Sequence, residues 1–209
     1  MMIDLHSHTY YSDGTESPEY LVERSHAAGV KMQALTDHDT LKGMPEFFEA
    51  AAKYPDLIPV AGSELSLADM EILALGVKKN LAVRRTFRSY KDAIEFALAM
   101  GAVPVLPHAV RTGKKGRALE KLVLELKGYG LMGIEVFHPE HDKEMADECL
   151  ALVRKYKLLA TAGSDFHEPD EPIDEEGYGG RGIGFFGGGD WEHCPELDAT
   201  YEFFKKWIS

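Results

Sequence analysis

From end to end the chain alternates short, nearly continuous apolar runs with amphipathic stretches of helical length. The runs, over 2–5, 31–36, 57–61, 71–77, 103–106, 133–136 and 158–162, are rich in Ile, Val and Leu. Runs of that length and apolarity fit strands buried on both faces of a parallel sheet. Between them helical patterns cover 17–29 and about 42–54, 89–100, 117–129 and 143–156, with a last one over 195–208. The first opens on Ser17-Pro18, an N-cap followed by proline at the first helical position, and stops at Gly29. Such alternation implies an α/β barrel or an open α/β sheet. The Gly-rich segment 177–189 reads as a loop or lid, and no repeat divides the 209 residues, so one domain over 1–209 is expected.

Charge narrows the function classes. With 35 acids against 23 bases the formal net charge is -12. Duplex binders are usually basic, because phosphate neutralisation drives their affinity, so strong duplex nucleic-acid binding is not expected. A phosphate substrate stays open, since bound divalent cations reverse the local sign. No stretch approaches the ~20 apolar residues of a membrane helix, and residues 1–6 do not read as a signal peptide. Two cysteines, Cys149 and Cys194, lack metal-type spacing and suggest a reducing compartment, so the cytoplasm is the expected location.

A second regularity is that nearly every apolar run leads into His, Asp or Glu. The first leads into Asp4-Leu5-His6-Ser7-His8, the second into Thr36-Asp37-His38-Asp39, and the third into Gly62-Ser63-Glu64. The fifth leads into Pro107-His108, the sixth into Phe137-His138, and the seventh into Gly163-Ser164-Asp165-Phe166-His167. In a parallel barrel the C-terminal strand ends meet on one face, where active sites form, so these residues are expected to converge. Imidazoles and carboxylates gathered without cations are hard to satisfy, because like-charged carboxylates raise one another's pKa. Divalent ions resolve this, and imidazole plus carboxylate suits Zn, Mn or Fe. His6 and His8 leave a strand on the same side and can chelate one ion; Asp165 and His167 share that spacing.

Apart from Phe137-His138, these pieces, together with Ser12-Asp13-Gly14, resemble in residue and order the PHP family, named for polymerase and histidinol phosphatase. The resemblance implies a distorted (β/α)7 barrel with its metal site at the C-terminal ends of the strands, holding two to three divalent ions. By motif it implies that His6, His8, Glu64 and Asp165 hold a first metal. Glu64 would bridge to a second, shared with His108, while Asp13, His38 and His167 hold a third. At the start of the strand after the bridging Glu the family usually has another histidine; this chain has Glu71. Either Glu71 is a ligand and harder ions such as Mn are favoured over Zn, or it is a strand-surface carboxylate and the second site is weak or empty. The segment 133–141 resembles one in stand-alone members and puts His138 or His141 at the site.

Two or three metals close together suit in-line displacement at phosphorus. The expected activity is phosphoester hydrolysis through a metal-activated water, on a phosphorylated small metabolite or a nucleotide. His138, His141 or a metal-bound water would supply the proton for the leaving group. Many relatives have an arginine three residues after the His108-like position; His108-Ala109-Val110-Arg111 keeps it, and its fork suits two phosphate oxygens. Arg181, in the Gly-rich segment, is a second substrate-binding candidate. Stand-alone relatives commonly carry a helical insertion after the Glu-strand. Only about twenty-five residues separate Gly76 from Gly101, so that cap is missing and an open site is expected. The competing expectations are a 5′-end exonuclease on short oligonucleotides and a non-catalytic metal-binding module. Against the first stands the lack of a basic, aromatic-lined surface; against the second, that almost all ligand positions are filled. No membrane partner is expected.

Overall fold

The computed structural model describes residues 1–68, 70–79, 82, 86–169, 182–187 and 189–209. Its seven strands form one sheet in sequence order. They are β1 (Ile3–Asp4), β2 (Met32–Leu35), β3 (Ile58–Ser66), β4 (Glu71–Leu75), β5 (Val103–Leu106), β6 (Gly133–Phe137) and β7 (Leu159–Ala162). The helices are α1 (Pro18–Ala27), α2 (Met44–Ala51), α3 (Tyr90–Ala99), α4 (Arg117–Tyr129), α5 (Lys143–Tyr156) and α6 (Pro195–Ile208). The sheet curls until its edges meet: the Leu5 N–H donates to the Ala162 carbonyl at 2.8 Å, and the Asp165 N–H to the His6 carbonyl at 2.9 Å. The product is the distorted (β/α)7 barrel that the sequence implies.

Local chemistry starts the helices where expected. The Ser17 hydroxyl accepts from the Tyr20 N–H at 3.0 Å with Pro18 in the first turn; Ser89 and Asp142 cap α3 and α5 at 3.2 and 2.7 Å. In α4 the buried Leu119, Leu122, Val123 and Leu126 repeat at three- and four-residue intervals, which turns one stripe inward. Strands β2, β5 and β6 are buried along their whole length, and apart from Gln33 and Glu135 their residues are the apolar ones that a strand covered on both faces needs. Among the described residues, no helix is long and apolar enough to cross a membrane.

The parallel order breaks at one strand. β4 runs antiparallel to both β3 and β5. Only four residues, 67–70, join β3 to β4, whereas a parallel crossover needs roughly a dozen. β3 also continues past Ala61 to Ser66, because Gly62–Ser66 finds a partner in β4. The reversal positions the site. Glu71, at the start of β4, pairs with Ser66 at the end of β3, so a residue that opens its strand joins those that close theirs.

Candidate metal centre

The strand ends bring three overlapping donor groups together: His6, His8, Glu64 and Asp165; Glu64, Glu71 and His108; and His8, Asp13, His38 and His167. Within each, one donor atom per residue lies within 4.8 Å of the others. Glu64 links the first two groups and His8 the first and third. Glu64 Oε2 stands 3.0 Å from His6 Nε2 and 3.2 Å from His8 Nε2, and its Oε1 2.9 Å from His108 Nε2. Asp165 Oδ1 is 3.3 Å and 3.2 Å from the same His6 and His8 nitrogens. Asp13 Oδ2 lies 3.4 Å from Nε2 of both His38 and His167. Glu71 is looser, with Oε2 3.8 Å from His108 Nε2 and a side chain 25% exposed.

The surrounding sequence fixes these donors. Asp37 accepts from the Thr9 N–H at 2.8 Å, the Thr9 hydroxyl at 2.8 Å and the Ser12 hydroxyl at 2.7 Å, which pins the loop carrying Asp13. Glu135, which the sequence reading did not single out, is buried in the middle of β6. Its Oε1 is 3.1 Å from His6 Nδ1, and its Oε2 accepts the His108 N–H at 2.7 Å. A carboxylate on Nδ1 leaves His6 Nε2 facing the donor groups, the partner that orients a metal-ligating imidazole. The signal was present as a lone acid inside an otherwise apolar run. Asp39, His108 and Asp165 adopt positive φ of 52°, 24° and 51°. Each such residue costs on the order of 1–3 kcal/mol, and strain of this kind collects at functional sites.

Burial pushes the Glu64 and Asp165 carboxyls up, but His6 and the other imidazoles outweigh it and hold both well below the usual carboxylate range. The donors also meet a test of fit for a cation. Among the described residues, His8 Nδ1 and Nε2 and His108 Nδ1 are buried without a hydrogen-bond partner. Yet oxygens of Glu64 and Asp165 lie 3.2 Å from His8 Nε2. Those oxygens stand off the direction in which an N–H donates, so a proton cannot satisfy the nitrogen, whereas a cation among the donors would. Mixed imidazole and carboxylate suit Zn, Mn or Fe; the second group, with two carboxylates and one imidazole, is the hardest of the three.

The two remaining histidines differ. His138 Nε2 is 3.4 Å from Asp165 Oδ2, and its Nδ1 accepts the Glu140 N–H at 3.1 Å, so the ring braces Asp165 from behind. His141 is not brought to the donors. Its Nδ1 donates to the Val136 carbonyl at 2.9 Å, its Nε2 accepts the Val110 N–H at 3.4 Å, and the ring is buried. With both nitrogens engaged by backbone, His141 has no proton to offer a substrate. Burial, and then His138 nearby, pull its pKa down to about 4. A histidine lowered on folding supports stability fully above its unfolded value of about 6.5, and the support is lost as the pH falls through 4. Denaturant titrations at pH 7.5 and pH 5 should therefore show wild type losing about 2 kcal/mol more than His141→Gln over that interval. Equal losses would exclude a neutral, buried His141.

Arg111 reaches the first group. Its Nε and Nη2 make a two-pronged pair with Glu140 at 3.0 and 2.6 Å, and Nη2 also donates to Asp165 Oδ2 at 3.0 Å. Nη1 has no partner among the described residues and leaves two donors for a ligand. Arg181 lies outside the described residues, as do 177–180 and Gly188 of the Gly-rich segment.

Comparison with known proteins agrees with this geometry. The family description "PHP domain" matches residues 4–164. A 5'-3' exoribonuclease of Haemophilus influenzae is 24% identical over 247 aligned residues, covering 79% of this chain and 90% of that protein. A 3',5'-nucleoside bisphosphate phosphatase of Chromobacterium violaceum is 24% identical over 266, covering 87% and 90%. Both alignments are longer than this 209-residue chain, so both relatives carry inserted segments that it lacks. In structure the chain is similar to an amidohydrolase from Chromobacterium violaceum solved with bound sulfate and no metal. The TM-score is 0.78 at 21% identity, covering 99% of this chain and 97% of the other.

Proposed function

The chain belongs to the PHP domain family and is a hydrolase, and on that premise we propose that it cleaves phosphate monoesters of nucleotides or small metabolites with two to three divalent ions as cofactors. One observation carries the reading: three donor groups are joined, the first to the second through Glu64 and the first to the third through His8, beside an arginine edge that is open among the described residues. In this reading His6, His8, Glu64 and Asp165 hold one ion, Glu64, Glu71 and His108 a second, and Asp13, His38 and His167 a third. Bound divalent ions would lower the pKa of a water and neutralise nonbridging phosphate oxygens.

The chain's own residues orient the ester. Arg111 Nη1 takes a phosphate oxygen, and Glu140 keeps the guanidinium in place. Water oxygen bonds to phosphorus as the ester P–O bond breaks, and the departing oxygen takes a proton, giving an alcohol and inorganic phosphate. His138 holds Asp165 rather than serving the leaving group, so that proton comes from solvent. A second reading, removal of nucleotides from the 5′ end of short oligonucleotides, is favoured by the name of the Haemophilus influenzae relative; the net charge of -12 counts against a long strand.

The test is the whole chain stripped with a chelator, reloaded with Mn or Zn, and offered phosphomonoesters, phosphodiesters and a 5′-labelled oligonucleotide. Metal-dependent phosphate release from monoesters is expected. Faster loss of the 5′ label would put the second reading first. Inertness toward every ester with metal bound would end both.

A further inference from the structure

The first and second donor groups are joined twice. In front, Glu64 is a member of both. Behind them stands Glu135, a member of neither, fully buried in β6. Its two oxygens go to different groups. Oε1 is 3.1 Å from Nδ1 of His6, in the first, and Oε2 accepts the main-chain N–H of His108, in the second, at 2.7 Å. In both histidines Nε2 faces Glu64, at 3.0 and 2.9 Å. Two carboxylates and two histidines thus close a ring, with one carboxylate on the donor side and the other on the far side.

The chain makes room for the rear carboxylate. The β6–β7 register shifts between Glu135 and Phe137, an irregularity of the kind that re-aims side chains beside active sites. Gly163 leaves open the space that Glu135 Oε1 fills, since a Cβ there would stand 2.3 Å from it. What Glu135 holds at its other end is strained. His108 has φ of 24° and ψ of 62°, a conformation that persists only where the surroundings fix it. Its Nδ1 has no partner among the described residues, so no bond at that nitrogen braces the ring. The aim of His108 is therefore set through its backbone, and Glu135 is what that backbone N–H holds.

The third group is supported from elsewhere. Asp37 pins the Asp13 loop through Thr9 and Ser12. His38 Nδ1 lies 3.4 Å from the Ser66 hydroxyl, and His167 Nδ1 donates to the Asp165 carbonyl at 2.7 Å.

We propose that Glu135 is a positioning residue that ties the ion affinities of the first two groups together, so that its loss weakens both and spares the third. The proposal rests on the reading above that the groups hold ions. Acceptor count is the reason. A carboxylate accepts at both oxygens, as the His6 Nδ1–H and the His108 N–H require. Glutamine has one acceptor oxygen and an NH₂ group, so it must turn a donor toward one of the two. Aspartate keeps the charge but is one methylene short of where both oxygens now sit.

The experiment titrates the metal-stripped whole chain with Zn and follows the imidazole nitrogen resonances of wild type, Glu135→Gln and Glu135→Asp. His6 reports the first group, His108 the second and His38 the third. In both variants Kd at His6 and at His108 is expected to rise about 10–100-fold, the usual cost of losing an outer partner of a ligand. Kd at His38 is expected to stay near the wild-type value, and uptake there also shows that the variant is folded. If Glu135→Gln does not fold, Glu135→Asp decides alone. Wild-type affinity at His6 and His108 in Glu135→Asp would mean that charge and not placement is at work, and overturns the tie. A loss confined to one group, or shared equally by all three, overturns it as well, while leaving the metal reading intact. If wild type itself takes up no Zn, the metal reading fails and the tie fails with it.

Discussion

Alanine at position 165 is expected to lower phosphoester hydrolysis by more than about a hundredfold and to remove at least one equivalent of bound metal. Replacing the outer partners of metal ligands typically costs about 10–100-fold, and a residue of the donor group itself must cost more. Among the described residues, no other side chain of the donor groups is approached by so many of the rest once His167 Nδ1, 3.7 Å from Asp165 Oδ1, is included. Asp165 Oδ1 is 3.3 and 3.2 Å from His6 and His8, while Oδ2 receives Arg111 at 3.0 Å and His138 at 3.4 Å. Without it His6 and His8 lose a counter-charge and Arg111 loses an anchor.

Alanine also meets a backbone problem, since Asp165 has φ of 51°, a region that Asp tolerates better than Ala. Asp165→Asn therefore accompanies it, because asparagine keeps the size and the left-handed tolerance but not the charge. Elemental analysis and initial rates should fall together in both variants, and the rise in Tm expected when metal is added to wild type should be lost. Full metal content and near-normal turnover in Asp165→Asn would remove the first donor group from the mechanism.

The elements were legible because burial writes itself into spacing. The strand over Val103–Leu106 and the helices over Arg117–Tyr129 and Lys143–Tyr156 fall where apolar period and caps place them. The direction of β4 was not legible in the same way. A strand buried on both faces reads identically in either sense, and only the four residues joining it to β3 mark the reversal. The donor groups were legible because their residues follow strands and repeat a known order. Glu135 was hidden by position, being inside a strand rather than after one, where the barrel turns it toward His6. His138 and His141 look alike in sequence. What separates them is the Val110 N–H, supplied from about thirty residues away and taken up by His141.

That dependence on contacts between distant segments yields the sharpest stability expectation, at Gly163. An ideal Cβ there would stand 2.3 Å from Glu135 Oε1, 2.3 Å from His6 Cβ and 3.2 Å from the His6 nitrogen. Carbon atoms in van der Waals contact need about 3.5–4.0 Å. The Glu135 side chain can rotate away, but His6 Cβ is attached directly to the backbone, so no rotamer relieves the clash. Relief requires β1 to part from the turn after β7, at the seam closed by the Leu5 N–H to Ala162 and the Asp165 N–H to His6. Overpacking of this kind costs about 1–3 kcal/mol and sometimes more. At roughly 2–4 °C per kcal/mol for a chain of this size, Gly163→Ala should lower Tm by about 5–10 °C. It should also weaken metal retention, because the displaced atoms carry His6 and its partner Glu135. Gly128→Ala is the matched control: it lies inside α4 with nothing within 4 Å of an added Cβ, so alanine there should hold or slightly raise Tm. If the two substitutions melt alike, the close approach at Gly163 is not what sets the position of His6, and the barrel seam has slack that the packing of β1 against the turn after β7 does not show.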